Sequence, residues 1–155
     1  MGNTAPAATQ PRIRVVLADD HTGILNEIRQ LLSPEFEIAR VVFDGNALME
    51  ATAALRPDIV VSDLNMPGLN GIEAGRAILR QGLCNAVVLL TMYNDSFLIR
   101  GALRAGIRGY VLKVDAGEEL GAALHVVLSG GRYLSREARA QWSEDDAEDQ
   151  SSPRG

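Results

Sequence analysis

Short apolar runs alternate with helical periodicities along most of this chain. Ile13 to Ala18, Ile59 to Val61, Ala86 to Leu90 and Tyr110 to Leu112 are brief and rich in Val, Ile or Leu, and Glu37 to Phe43 adds a fifth strand. Apolar runs of that length predict strands buried on both faces of a parallel sheet. Between them, Ile24, Leu25, Ile28, Leu31 and Leu32 fall on one helical face, and Ser33-Pro34 ends that helix. Ala47, Leu48, Ala51, Ala54 and Leu55 mark a second helix, stopped before Pro57. Ile72 to Arg80 predicts a third, ending near Gly82, and Phe97 to Ala105 a fourth, started by Asn94 or Asp95 and closed by Gly106. The fifth takes Asp115 as N-cap with Glu118 three residues on, runs through Leu120, Leu124 and Val127, and stops at Gly130-Gly131. Five strands and five helices in alternation predict a sheet covered on both faces, wound through right-handed crossovers.

In such a sheet ligands bind beyond the carboxyl ends of the strands. The residues that close the apolar runs there are Asp19-Asp20, Asp63, Thr91 and Lys113. Lys113 is the one lysine among fifteen basic residues. Arginine would serve equally well for a surface ion pair, so a solitary ammonium suggests a site that wants a compact point charge. Phosphate is the obvious ligand for it. Three carboxylates crowded at one edge repel one another, and at neutral pH they need a cation or must take up protons. A hard divalent ion relieves that repulsion, and magnesium tolerates few carboxylates plus waters. One carboxylate is then available as a nucleophile. A lone acid in such a place could instead cap a helix or turn, and the pair Asp19-Asp20 could simply favour a following helix N-terminus, worth up to about 1 kcal/mol.

The ordered set resembles the receiver domain of two-component response regulators, from about Ile13 to Leu134. It is carried by ADDH at Ala18 to His21, DLNMPGLNG from Asp63 to Gly71, LLT ending at Thr91, and GYVLK ending at Lys113. Ala105 to Tyr110 and the GGRYLS stretch from Gly130 to Ser135 look most like receivers of the LuxR type (NarL/FixJ). The resemblance implies a flavodoxin-like (βα)5 fold with five parallel strands. It implies that Asp63 accepts a phosphoryl group from a sensor histidine kinase or phosphotransfer protein. It implies Mg2+, with Mn2+ as a substitute, held directly by Asp20, through water by Asp19, by a carboxylate oxygen of Asp63 and by the backbone carbonyl of Asn65. Lys113 and Thr91 would contact the phosphoryl oxygens, and Thr91 with Tyr110 would form a coupled switch. The switch would reshape a face made of the fourth helix, fifth strand and fifth helix. Val114 stands after Lys113 where many receivers have proline, and Asn65 and Tyr93 flank the approach of hydrolytic water.

Length and charge narrow the setting. The chain has 155 residues, enough for one domain of about 120 with its own core. Residues 1–11 are expected as a disordered leader, 12–134 as the receiver, and 135–155 as a short helix over Arg136 to Trp142 followed by an acidic linker or tail. A LuxR-type helix-turn-helix would follow such a linker, so the expected alternatives are a receiver without that domain or a stand-alone one. The net charge is -5, of which Ser143 to Gly155 contributes -4, leaving a body near -1. With no clustered basic patch in the sequence, direct nucleic-acid binding is not expected. Cys84 is the sole cysteine and excludes an internal disulfide. No apolar run approaches the roughly 18 residues of a membrane span, and a cytoplasmic location is expected. His21 and His125 show no zinc spacing. Dimerisation is expected through an exposed helical face, the first and fifth helices or the fourth and fifth. The competing functions are a haloacid dehalogenase-like phosphatase, disfavoured because Asn65 replaces the second acid of its Asp-x-Asp, and a phosphorylation-independent docking module.

Overall fold

The computed structural model describes residues 12–142. Its elements run β1 (Ile13–Ala18), α1 (Thr22–Leu32), β2 (Phe36–Val42), α2 (Gly45–Leu55), β3 (Ile59–Ser62), α3 (Gly71–Arg80), β4 (Val87–Thr91), α4 (Ser96–Arg104), β5 (Gly109–Leu112), α5 (Ala116–Leu128) and β6 (Tyr133–Leu134). A last helical stretch, α6, covers residues 136–142. The strands lie in the order β2-β1-β3-β4-β5-β6, every pair parallel. The expected leader, and the expected acidic tail from Ser143, lie outside the described residues.

Alternation along the strands decides which helix covers which face. Val16, Val60 and Val87 are in register and pack with Leu48, Ala51, Ala74, Ile78, Ile99 and Ala102 of α2, α3 and α4. Leu17, Val61 and Val88, one residue on, meet Leu25, Ile28, Leu120 and Leu124 of α1 and α5. Each fully buried Ile or Leu in these layers contributes about 1.5–3 kcal/mol over leaving it exposed. This is the flavodoxin-like arrangement.

Local chemistry fixes the helix starts. Asn70 and Glu73 form a reciprocal capping box at α3, with bonds of 2.8 and 3.0 Å. The Asp95 carboxylate accepts from Phe97 N and Leu98 N at α4. At α5 the expected cap does not form. Lys113–Asp115 is a 3-10 turn, and Asp115 makes no capping bond to α5. Its carboxylate accepts instead from Glu137 N at 3.1 Å, because the start of α6 brings a second set of orphan donors to the same place.

The sheet also has a sixth strand beyond the five expected. Tyr133 N donates to Arg108 O at 2.8 Å and Ser135 N to Tyr110 O at 3.0 Å, so GGRYLS covers the edge that β5 would otherwise present. Beyond it, Glu119 accepts from Arg136 N through both carboxylate oxygens at 3.1 Å, and Ala138 is wholly buried in the α2/α3/α4 layer. Trp142 packs against that layer under the Arg100 guanidinium, 5.6 Å from its ring centre.

Candidate functional site

The strand order reverses between β1 and β3, which leaves a crevice beyond their carboxyl ends. Asp19 and Asp20 follow β1, and Asp63 follows β3, so the reversal sets these carboxylates side by side. Asp19 N donates to Val42 O and Asp63 N to Ala18 O, which pins both residues to the sheet edge. Ligand atoms of Asp19, Asp20, His21 and Asp63 all lie within 4.8 Å of one another.

Lys113 arrives from the end of β5. Its Nζ is 2.8 Å from Asp19 Oδ2 and 3.5 Å from Asp63 Oδ2, with all three side chains nearly out of solvent. Burial first, and the Asp19 charge second, push the Asp63 carboxyl above its ordinary range; Lys113 and the Leu64 and Asn65 backbone N–H groups pull it back in part. Leu64 N donates to Asp63 Oδ1 at 2.8 Å, which orients the carboxylate and leaves Oδ2 towards the ammonium.

His21, which shows no zinc spacing in the sequence, is a member of this cluster. Its Nδ1 is 3.1 Å from Asp19 Oδ1 and 3.1 Å from Asp20 Oδ1, a position between the two carboxylates. Its place directly after the acid pair was the available signal.

Thr91 ends β4 beside β3 and is fully buried, its hydroxyl oxygen accepting from Tyr93 N at 3.1 Å. Tyr110 is also fully buried, and its hydroxyl donates to Tyr93 O at 2.6 Å. Burial and then Asp95 raise its pKa. Thr91 and Tyr110 therefore hold the same residue, Tyr93, from two sides. The Asn65 amide reaches Tyr93 Oη at 3.4 Å across the mouth of the site.

Carboxylates gathered at two neighbouring strand ends, a lysine between two of them and a buried strand-end threonine, on a flavodoxin-like sheet, are the arrangement of a signalling receiver domain. The response regulator receiver domain profile matches residues 15–125. DegU of Brevibacillus brevis, a transcriptional regulatory protein, is 32% identical over 125 residues, covering 79% of this chain and 53% of DegU. A LuxR-family response regulator from Aurantimonas sp. SI85-9A1 superimposes with a TM-score of 0.83 at 31% identity, covering 88% of this chain and 99% of that one. RcsB from Salmonella enterica serovar Typhimurium, solved on a promoter with a phosphomimetic beryllium fluoride, gives a TM-score of 0.80 at 28% identity over 92% of this chain and 73% of its own. The chain belongs to the response regulator receiver family and is of the NarL/LuxR type. It spans about half the length of DegU, at 53%. No described helix is long and apolar enough to cross a membrane.

Proposed function

We propose that Asp63 is the phosphoacceptor of this receiver, charged by a sensor histidine kinase or a phosphotransfer protein in the cytoplasm. The observation that carries this is the placing of Lys113 Nζ between Asp19 Oδ2 and Asp63 Oδ2. An Asp63 carboxylate oxygen attacks the phosphorus of a phosphohistidine, the phosphorus–nitrogen bond breaks, and the imidazole leaves and takes up a proton. The transition state spreads negative charge over the peripheral oxygens, so positioning and electrostatics carry most of the rate. The Lys113 ammonium, 3.5 Å from Asp63 Oδ2, stands where it can neutralise charge on the oxygens of a group transferred to Asp63. Thr91 uses its oxygen as acceptor from Tyr93 N and keeps its own proton to donate.

The donor set fits a magnesium ion. Its carboxylate oxygens, from Asp19, Asp20 and Asp63, are hard donors, two of the three acids are buried, and one lysine compensates them only in part. Asp19, Asp20, Asp63 and the Asn65 carbonyl would hold it, and Mn2+ would substitute. When bound, the ion neutralises developing charge on the transferred group. His21 must release the acids that the cation takes.

Tyr110 already occupies an inward position, bonded to Tyr93 O. Phosphorylation acts by favouring one of two arrangements of Thr91, Tyr93 and Tyr110. The receiver body runs over residues 12–134 and α6 begins the connection to whatever output it drives. Its activity is that of a switch which assists its own phosphorylation and hydrolysis, and a dimer through a helical face is the associated assembly.

Treatment with magnesium and a small acyl-phosphate donor is expected to add one acid-stable, base-labile phosphoryl group, mapped to Asp63. Labelling that persists in Asp63→Asn would overturn the assignment. Steady turnover of a simple phosphate ester would favour a phosphatase instead.

A further inference from the structure

His21 occupies the N-cap position of α1, yet its side chain makes no capping bond and its ring is exposed. The backbone does the fixing instead. His21 N donates to Asp19 Oδ1 at 2.9 Å, which turns the chain so that the ring comes back over the acid pair. Nδ1 stands 3.1 Å from Asp19 Oδ1 and 3.1 Å from Asp20 Oδ1. Donors held about 2.1 Å from one small cation are roughly 3.0 to 3.4 Å apart, between the octahedral and tetrahedral limits. Both separations fall in that interval. Because the three donors are consecutive residues, no zinc spacing marks them in the sequence.

The two oxygens of Asp19 have different partners. Oδ2 is held by Lys113 Nζ at 2.8 Å, and Oδ1 faces the ring. An ion seated among Asp19 Oδ1, Asp20 Oδ1 and His21 Nδ1 therefore leaves the lysine contact in place. Asp20 and His21 are exposed, so the approach from solvent is open. Magnesium takes oxygen donors and keeps its waters, and it must displace the ring to use these acids. A first-row transition ion need not. Imidazole is a good ligand for it, Nδ1 giving its lone pair while the ring proton is carried on Nε2. We propose that His21 Nδ1, with Asp19 Oδ1 and Asp20 Oδ1, forms a site for a divalent transition cation such as Zn2+, which takes the acids that magnesium needs. This rests on the cation site proposed above and adds a nitrogen donor to it. A transition ion so held excludes magnesium and keeps Asp63 from being charged.

The test titrates the full chain, freed of metal, with Zn2+ and with Mg2+ in a calorimeter, as wild type, His21→Gln and His125→Gln. The chain has two histidines, and His125→Gln controls for zinc on the other one, which pairs with Glu35 at 2.6 Å. His21→Gln is expected to weaken Zn2+ by at least about tenfold, while Mg2+ binds no more weakly than before. His125→Gln should leave the ratio of the two affinities where it was. With one equivalent of Zn2+ bound, the heat of Mg2+ binding should vanish. In the wild type the His21 ring-nitrogen resonances should move on adding Zn2+, a reading that does not depend on any variant. An unchanged Zn2+-to-Mg2+ ratio in His21→Gln, a ring indifferent to Zn2+, or Mg2+ that binds alongside zinc would overturn the proposal and leave the magnesium site standing. Zinc bound through His21 in a wild type that takes no Mg2+ would support the nitrogen ligand and count against the magnesium reading alone. A wild type that binds neither ion would overturn both.

Discussion

Replacing Lys113 by methionine keeps most of the side chain's length and packing and removes only the charge. Its ammonium is 2.8 Å from Asp19 and 3.5 Å from Asp63, and the side chains of the three are 11%, 3% and 5% exposed. At an effective dielectric of about 20 the attraction at such distances is on the order of 5 kcal/mol. Part of it is offset by the cost of burying the ammonium itself, and deleting one member of a buried pair costs about 3–5 kcal/mol. The lower end, about 3 kcal/mol, is expected because Asp63, whose pKa is already raised, can take up a proton. The pH dependence has a definite sign. Burial and Asp19 already raise the Asp63 pKa above its unfolded value, so ionisation of Asp63 opposes folding above the folded pKa, and the penalty is gone below the unfolded one. Without the ammonium the pKa climbs further, so the deficit of Lys113→Met should shrink on acidification below neutral pH. Magnesium, which binds only the folded cluster, should also shrink it. Urea denaturation at several pH values, with and without magnesium, measures all of this. A loss below about 1 kcal/mol at neutral pH, or one indifferent to both pH and magnesium, would refute the electrostatic account of the site.

Gly71→Ala should cost at least about 2 kcal/mol in urea denaturation and slow acyl-phosphate labelling, because the new Cβ would stand 2.2 Å from Asp63 O and 2.9 Å from Leu64 Cα. Gly23→Ala in α1, whose Cβ meets nothing within 4 Å, should be neutral or stabilising by up to about 1 kcal/mol and serves as its control. Tyr110→Phe deletes the bond to Tyr93 O and should cost about 1 kcal/mol, with faster amide exchange confined to Tyr93 to Asp95. Glu119→Ala removes the acceptor of both Tyr133 Oη and Arg136 N, at about 1–2 kcal/mol, and should shift Trp142 emission to the red while far-ultraviolet circular dichroism changes little.

The strands and helices were legible because their signals are local. Val15 to Ala18 and Val87 to Leu90 are apolar at nearly every position, as strands buried on both faces must be, and the phases of α1 and α4 match the faces they bury. The residues at the carboxyl edge were legible because a parallel sheet brings all strand ends to one side, whatever the loops do. What escaped depends on contacts distant in sequence. Tyr133–Leu134 is two residues long and has no periodicity; it is a strand only because β5 offers an unpaired edge. Asp115 looked like the cap of its own helix, and it caps the next one, twenty-two residues on. His21 offered no spacing motif, since its partners are its immediate neighbours.

These long-range contacts tie the two ends of the molecule together. Leu112 N donates to Ser135 Oγ at 3.1 Å, and the Asp115 carboxylate accepts from Glu137 N at 3.1 Å. Lys113 lies between those two bonds in sequence, so the backbone that presents the ammonium to Asp19 and Asp63 is the backbone that anchors the start of α6. Ser135 is fully buried, and a hydroxyl lost there would leave Leu112 N unpaired in the core. The strand end that carries Lys113 cannot shift far without straining the anchor, and α6 cannot lift without loosening the end of β5. Seven helical residues carry that constraint about 10 Å, to Trp142 and the basic end of α4. The end of β5 and the first turn of α5 are therefore the bonded link between the Lys113 backbone and α6.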